Sequence, residues 1–193
     1  LAIATAVAVA AAPLIFRLFS LHVSPLVDPE QFRHVGTVMS RIFLIQIFFY
    51  GLTAIASALL NSRRHFFAAA WSPVLSNVIT ITMLLIIPFT RDGTPGLETV
   101  LSDHTFFWLF TMSATAGVMA MGLVLIPALK RANINLRFTP NFGHPAVRTM
   151  IKLSSWTFGY VVTNQVALVV IKNLAEPGSG NQDAYSKAFT FFM

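Results

Sequence analysis

Three stretches of this chain are too long and too apolar to be core segments of a water-soluble domain. Thr37 to Leu60 carries one charged side chain, Arg41; Phe66 to Phe89 carries none; and His104 to Leu129 has only His104 as a titratable group. A helix needs about 20 consecutive apolar residues to cross the hydrocarbon core of a bilayer. Within that core, only helices and closed barrels satisfy their own backbone hydrogen bonds. The runs are continuous rather than alternating with a period of two, so helices are the expected solution. Two further runs extend the pattern, one from about Leu1 to Phe19 with Pro13 inside it, the other from about Thr149 to Ala175. A sixth begins at Ala184 and continues to Met193. The expected fold is all-α, a polytopic transmembrane helix bundle with five spanning helices and the start of a sixth. It forms a single transmembrane region, 1–193, with spans near 1–19, 37–60, 66–89, 104–129, 149–175 and 184–193.

Composition supports this reading. Only 10% of the residues are charged, and 55% are hydrophobic, more apolar surface than one soluble core of this size would hide. The absence of Cys excludes disulfides and thiolate metal sites. A net charge of +6 would point toward nucleic acid in a soluble protein. Here the bases fall mostly in loops between apolar runs, where they set helix orientation, so no nucleic-acid partner is expected. Both ends lie inside apolar runs, and no basic region precedes Leu1 as in a signal peptide. The chain therefore reads as an internal piece of a longer protein.

The connections carry the turn chemistry. His22 to Gly36, with Pro25, Asp28, Pro29 and Glu30, reads as a loop with a short surface helix near Pro29–His34. Asn61-Ser62-Arg63-Arg64-His65 is a sharp basic turn, and Arg91-Asp92-Gly93-Thr94-Pro95-Gly96 is a strong turn signal. Lys130 to Arg148 is a basic loop with Pro140 and Pro145, and Glu176 to Asp183 is a polar turn. Alternation of the spans puts Arg63, Arg64, Lys130, Arg131, Arg137, Arg148 and Lys152 on one side with no acid, and all seven acids on the other. The basic side is expected to be cytoplasmic.

Two groups of residues carry a family likeness. One is Gln46-Ile-Phe-Phe-Tyr-Gly-Leu-Thr-Ala54, Ala58-Leu-Leu-Asn-Ser62 and Phe66/Phe67 followed by Trp71-Ser-Pro-Val-Leu-Ser-Asn77. The other is Ile126-Pro-Ala-Leu-Lys-Arg131, Lys152-Leu-Ser-Ser-Trp-Thr-Phe-Gly-Tyr160 and Asn164-Gln165. Together they resemble the MurJ/MviN lipid II flippases of the MOP exporter superfamily, in an actinobacterial-like form, over nearly the whole chain. The resemblance implies that the first span here is the family's third helix and that the chain ends within the eighth. It implies a multi-pass protein of the plasma membrane that flips an undecaprenyl-pyrophosphate-linked peptidoglycan precursor by alternating access. No bond would be made, no cofactor used, and membrane lipids would be the other partners. Family members often carry an eighth-helix arginine facing the cavity; the matching region here has Thr190, with Lys187 about one turn earlier. The alternatives are another exporter of the superfamily, for polysaccharide or drug, or a membrane-embedded lipid or glycosyl transferase. A transferase would need clustered acids near the interface, whereas these are scattered through three loops.

Polar groups in apolar spans are the substrate-cavity candidates: Gln165, Asn164, Lys187, Arg17 and Arg41. Arg17 and Arg41 have the fork geometry for a phosphate or pyrophosphate, or they snorkel to the interface. Asn164 and Gln165, like Gln46 and Asn77, would be costly against lipid, so each faces a wet cavity or bonds a neighbouring helix. Lys172 and Lys187 lie where a lysine lines a cavity or snorkels outward. The five histidines are not spaced as a metal set. Trp71, Trp108 and Trp156 read as an aromatic belt, and Gly117 and Gly122 as close helix-packing positions.

Overall fold

The computed structural model describes residues 1–90, 100, 102–134 and 145–192, and these form helices with no strand among them. The helices are α1 (Ala2–Ala10), α2 (Ala12–Leu18), α3 (Pro29–Leu44), α4 (Gln46–Ser62), α5 (Phe66–Thr90), α6 (His104–Leu123), α7 (Leu125–Arg131), α8 (Pro145–Leu174) and α9 (Asn181–Phe192). Three helical stretches are long and apolar enough to cross a membrane: Pro29–Ser62, Phe66–Phe89 and His104–Arg131. The turn at Arg91–Gly96, and Arg137 and Pro140 of the basic loop, lie outside the described residues.

Several boundaries differ from expectation, most with a local cause. The run from Leu1 to Phe19 is interrupted at Ala11, and the run from His104 to Leu129 at Val124. Each break lies two or three residues before a proline, Pro13 or Pro127, whose ring crowds the carbonyl four residues back and has no N–H to give it. The helix near Pro29 does not stay short but continues to Leu44. Asp28 Oδ1 accepts the Glu30 N–H at 2.8 Å, with Pro29 at the first helical position, a strong start signal. At Ile45 the ladder tightens, with the Phe48 N–H on the Ile45 carbonyl at 3.1 Å; no proline accounts for this break. Inside α5, Pro73 is tolerated because Ser72 Oγ donates to the Ala69 carbonyl, 3.1 Å away, replacing the N–H that proline lacks.

The chain divides into two compact units. Unit 1 comprises Leu1–Phe16 and Gln31–Asn135; unit 2 comprises Arg17–Glu30 and Leu136–Met193. In unit 1, α5 lies along α6 and α4 packs on α5, α6 and α7. Much of what this unit buries is small or polar: Ser72, Thr111, Ser113, Thr115, Gly117 and Gly122. What it exposes is large and apolar, including Ile3, Phe66, Phe67, Trp71, Leu85 and Phe89. A water-soluble bundle does the reverse. In lipid, helices associate by close approach of small residues and by interhelical hydrogen bonds, and the chain follows that rule. A Cβ on Gly117 would stand 2.7 Å from the Ser76 carbonyl oxygen, so α5 and α6 touch backbone to backbone there. Gln46 Nε2 donates to Thr115 Oγ1 at 2.9 Å, and Thr80 Oγ1 donates to the Ser113 carbonyl at 3.2 Å. Gln46 is therefore an interhelical tie. An apolar core cluster, Ala56, Leu60, Leu125 and Leu129, lies where α4 meets α7.

Two matching caps close that end of unit 1. The His65 N–H bonds the Leu60 carbonyl at 2.9 Å and the Arg64 N–H the Asn61 carbonyl at 3.0 Å. On α7 the Ile134 N–H bonds Leu129 and the Asn133 N–H bonds Lys130, both at 3.0 Å. These are Schellman caps, and each needs a left-handed residue, here Arg64 (φ 61°) and Asn133 (φ 52°). Asn61 thus serves its cap through its backbone. Unit 2 is built on α8, a helix of 30 residues that starts ahead of the expected Thr149. It ends at Leu174, and Glu176, two residues on and just before Pro177, is also left-handed (φ 49°).

Candidate functional site

A groove in unit 1 holds one of the predicted site residues. The α1 face formed by Ala2, Thr5, Ala6, Val9 and Ala10 is opposed by Arg41, Ile45, Phe48 and Phe49 across an open groove of about 780 Å³. Alanines at these spacings leave the room, because they put no bulk on the face of α1 turned toward α4. Arg41 is exposed and is the only charged group lining the groove among the described residues. Thr5 is 9% exposed, and its hydroxyl has no hydrogen-bond partner among the described residues. The groove thus sets a guanidinium fork between apolar walls, with the Thr5 hydroxyl buried beside it. Such a set suits a phosphate-bearing group attached to something greasy. Thr5 was overlooked by sequence reasoning, although it is the one polar residue between Leu1 and Leu14.

The other four candidates belong to unit 2 and are not gathered into one site. Arg17 stands in the last turn of α2 and is exposed; its carbonyl accepts the Ser20 N–H at 3.1 Å. Asn164 and Gln165 are exposed at mid-length on α8. Lys187, on α9, pairs with Asp183 at 2.6 Å, one turn earlier, both side chains being about 70% exposed. Lys172 lies against α9, donating to Ser186 Oγ at 3.1 Å with its ammonium 5.9 Å from the Tyr185 ring centre.

Sequence reasoning also missed the hub of unit 2, Asn173. Its Nδ2 donates to the Leu18 and Val169 carbonyls, both at 2.8 Å. Its Oδ1 accepts the Leu21 N–H at 2.6 Å and the His22 N–H at 3.3 Å. Next to it, the Ser24 N–H bonds the Pro177 carbonyl at 2.8 Å. An amide one turn from a helix end gives little signal in sequence, because its partners lie some 150 residues away. Among the described residues, no three His, Asp or Glu side chains converge as a metal-ligand set.

Comparison with known proteins gives one consistent result. The family model described as lipid II flippase MurJ matches residues 1–191. A lipid II flippase MurJ of Burkholderia cenocepacia is 29% identical over 146 residues, 73% of this chain and 26% of that protein. A probable lipid II flippase MurJ of Rhizobium tropici is 35% identical over 96 residues, 47% of this chain and 16% of that protein. The matches thus span about a quarter of these relatives' length or less. No solved structure matches the chain.

Proposed function

Because the chain belongs to the lipid II flippase MurJ family, we propose that it is part of a transporter that flips an undecaprenyl-pyrophosphate-linked peptidoglycan precursor across the plasma membrane. The chain is a multi-pass membrane protein, as its apolar helices and its relatives agree. The transport cycle is alternating access: helical bundles rock and expose a polar cavity to each side in turn. The protein acts as a carrier and forms no covalent bond with its cargo.

The groove beside Arg41 is the observation that carries this reading onto particular residues. Arg41 would hold a pyrophosphate oxygen pair with its fork, and the alanine face of α1 would leave space for the group. Arg17, Asn164, Gln165 and Lys187 are the further contacts proposed from unit 2. Complementation in cells depleted of their own flippase tests the groove, using the full-length protein. Losing a charged hydrogen-bonding partner should weaken substrate binding by roughly tenfold to a hundredfold. Arg41→Ala, expressed at wild-type level, should therefore fail to support growth. Arg41→Lys, a point charge without the fork, should support slower growth. Normal growth with Arg41→Ala would take the groove out of the transport path.

A further inference from the structure

Two adjoining recesses at the capped end of unit 1 form a second site, distinct from the Arg41 groove and sharing none of its residues. The first is an apolar trough of about 520 Å³ between α5 and α7, walled by Phe67, Trp71, Leu75, Val124 and Pro127. The second, about 410 Å³, is lined by Arg64, His65 and Arg131. Phe67, Ala68, Ala128 and Arg131 line both, so the trough opens directly onto the basic recess. No acid among the described residues lines either one. Among the described residues, neither arginine side chain has an ion-pair or hydrogen-bond partner.

The geometry points to a binding site for one anionic glycerophospholipid, its phosphate between Arg64 and Arg131 and the upper part of an acyl chain in the trough. From Phe67 to Leu75 the trough follows α5 for about 12 Å, a depth that only a chain lying along the helix would fill. Phe67 and Trp71, with ring centres 5.8 Å apart, flank the mouth, where aromatic side chains sit at headgroup level. Charge selects the headgroup. Two guanidinium groups favour a net negative phosphodiester, and no described residue lining the recess carries the negative charge that would meet the ammonium of a zwitterionic lipid. The backbone adds a separate observation. Arg64 holds a left-handed φ of 61° at a cap position where glycine is the ordinary choice. This strained conformation is retained at a residue whose side chain lines the recess.

The site does not depend on which substrate the transporter carries, so its test is separate from complementation. Full-length protein would be released from nanodiscs containing equal phosphatidylglycerol and phosphatidylcholine, and its bound lipid read by native mass spectrometry. The wild type should retain phosphatidylglycerol over phosphatidylcholine by about tenfold. Arg64→Ala/Arg131→Ala should bring the two to parity. Arg63→Ala/Lys130→Ala removes equal charge from the same end but from outside the recess, and it should keep the preference. Val124→Trp fills the trough without changing charge and should lower retention of both lipids. Equal retention by the wild type would overturn the proposal, as it would if another segment of the longer protein covered the trough. So would an unchanged preference in Arg64→Ala/Arg131→Ala, or parity in Arg63→Ala/Lys130→Ala.

Discussion

At the scale of single residues, the polar side chains divide into those already committed and those still free. Gln46 is committed to Thr115. Hydrogen bonds of this kind in membrane bundles are worth about 0.6 kcal/mol on average and up to about 1.7. Gln46→Leu should lower unfolding free energy in detergent by that amount, and a Thr115→Val/Gln46→Leu double variant should lose no more. Asn173 is committed four times over. Asn173→Leu leaves the Leu21 N–H and the Leu18 carbonyl without it, at a cost of about 1–3 kcal/mol. Proteolysis between Arg17 and Glu30 should quicken in that variant, and unchanged cleavage would mean that water replaces the amide at no cost. Lys187 is held by Asp183, but an exposed pair is worth no more than about 1 kcal/mol, so a pyrophosphate would displace the carboxylate. Asp183→Asn should then preserve complementation while Lys187→Ala loses it. Equal effects of the two substitutions would make the pair a helix staple and nothing more. These commitments were only half legible in sequence. That Gln46 needed a polar partner followed from the cost of exposing it to lipid, but the identity of the partner depends on how α4 rotates against α6, which sequence periodicity leaves open.

At the scale of elements, glycine and proline carry most of the local decisions. Gly117 and Gly122 both face neighbouring helices, as their small size implied, but they are not equivalent. A Cβ at Gly117 meets the Ser76 carbonyl oxygen at 2.7 Å, whereas at Gly122 the nearest atoms are 3.3–3.4 Å away on Thr53 and Phe49. Gly117→Ala should therefore cost about 1–3 kcal/mol through overpacking, and Gly122→Ala much less. Equal melting temperatures for the two variants would contradict that ordering. At the α4 cap, Arg64→Gly should raise stability by about 1 kcal/mol by relieving the left-handed backbone, while abolishing the lipid preference proposed above. The helices themselves were readable from the apolar runs, and so was the start of α6, where Asp103 Oδ1 accepts the Phe106 N–H at 3.0 Å. The interruptions at Ala11 and Val124 were not, because a proline inside a membrane helix is compatible with continuity, a bend or a break.

At the scale of the whole molecule, the distribution of charge is the ordering principle. The stretch Pro29–Ser62 starts beside Asp28 and Glu30 and runs into Arg63 and Arg64; the stretch His104–Arg131 starts at Asp103 and ends on Lys130 and Arg131. Acids at helix beginnings and bases at helix ends match the helix dipole, and in unit 1 the two basic ends share one recess. The proposal that this end is cytoplasmic is checked by placing single cysteines at Arg63 or Lys130 and, on the other side, at Asp103. A membrane-impermeant thiol reagent added to intact cells should modify only the Asp103→Cys protein, and modification of Lys130→Cys would invert the topology.

The hub at Asn173 also governs the order of events during synthesis. Its partners at Leu21 and His22 are made some 150 residues earlier. At about 5–20 residues per second, the ribosome needs roughly 8–30 s to cover that distance. For that interval the Leu21 and His22 N–H groups are without this amide. Backbone groups without partners are costly in hydrocarbon, so the segment should wait in water or among lipid headgroups while three long apolar stretches enter the bilayer after it.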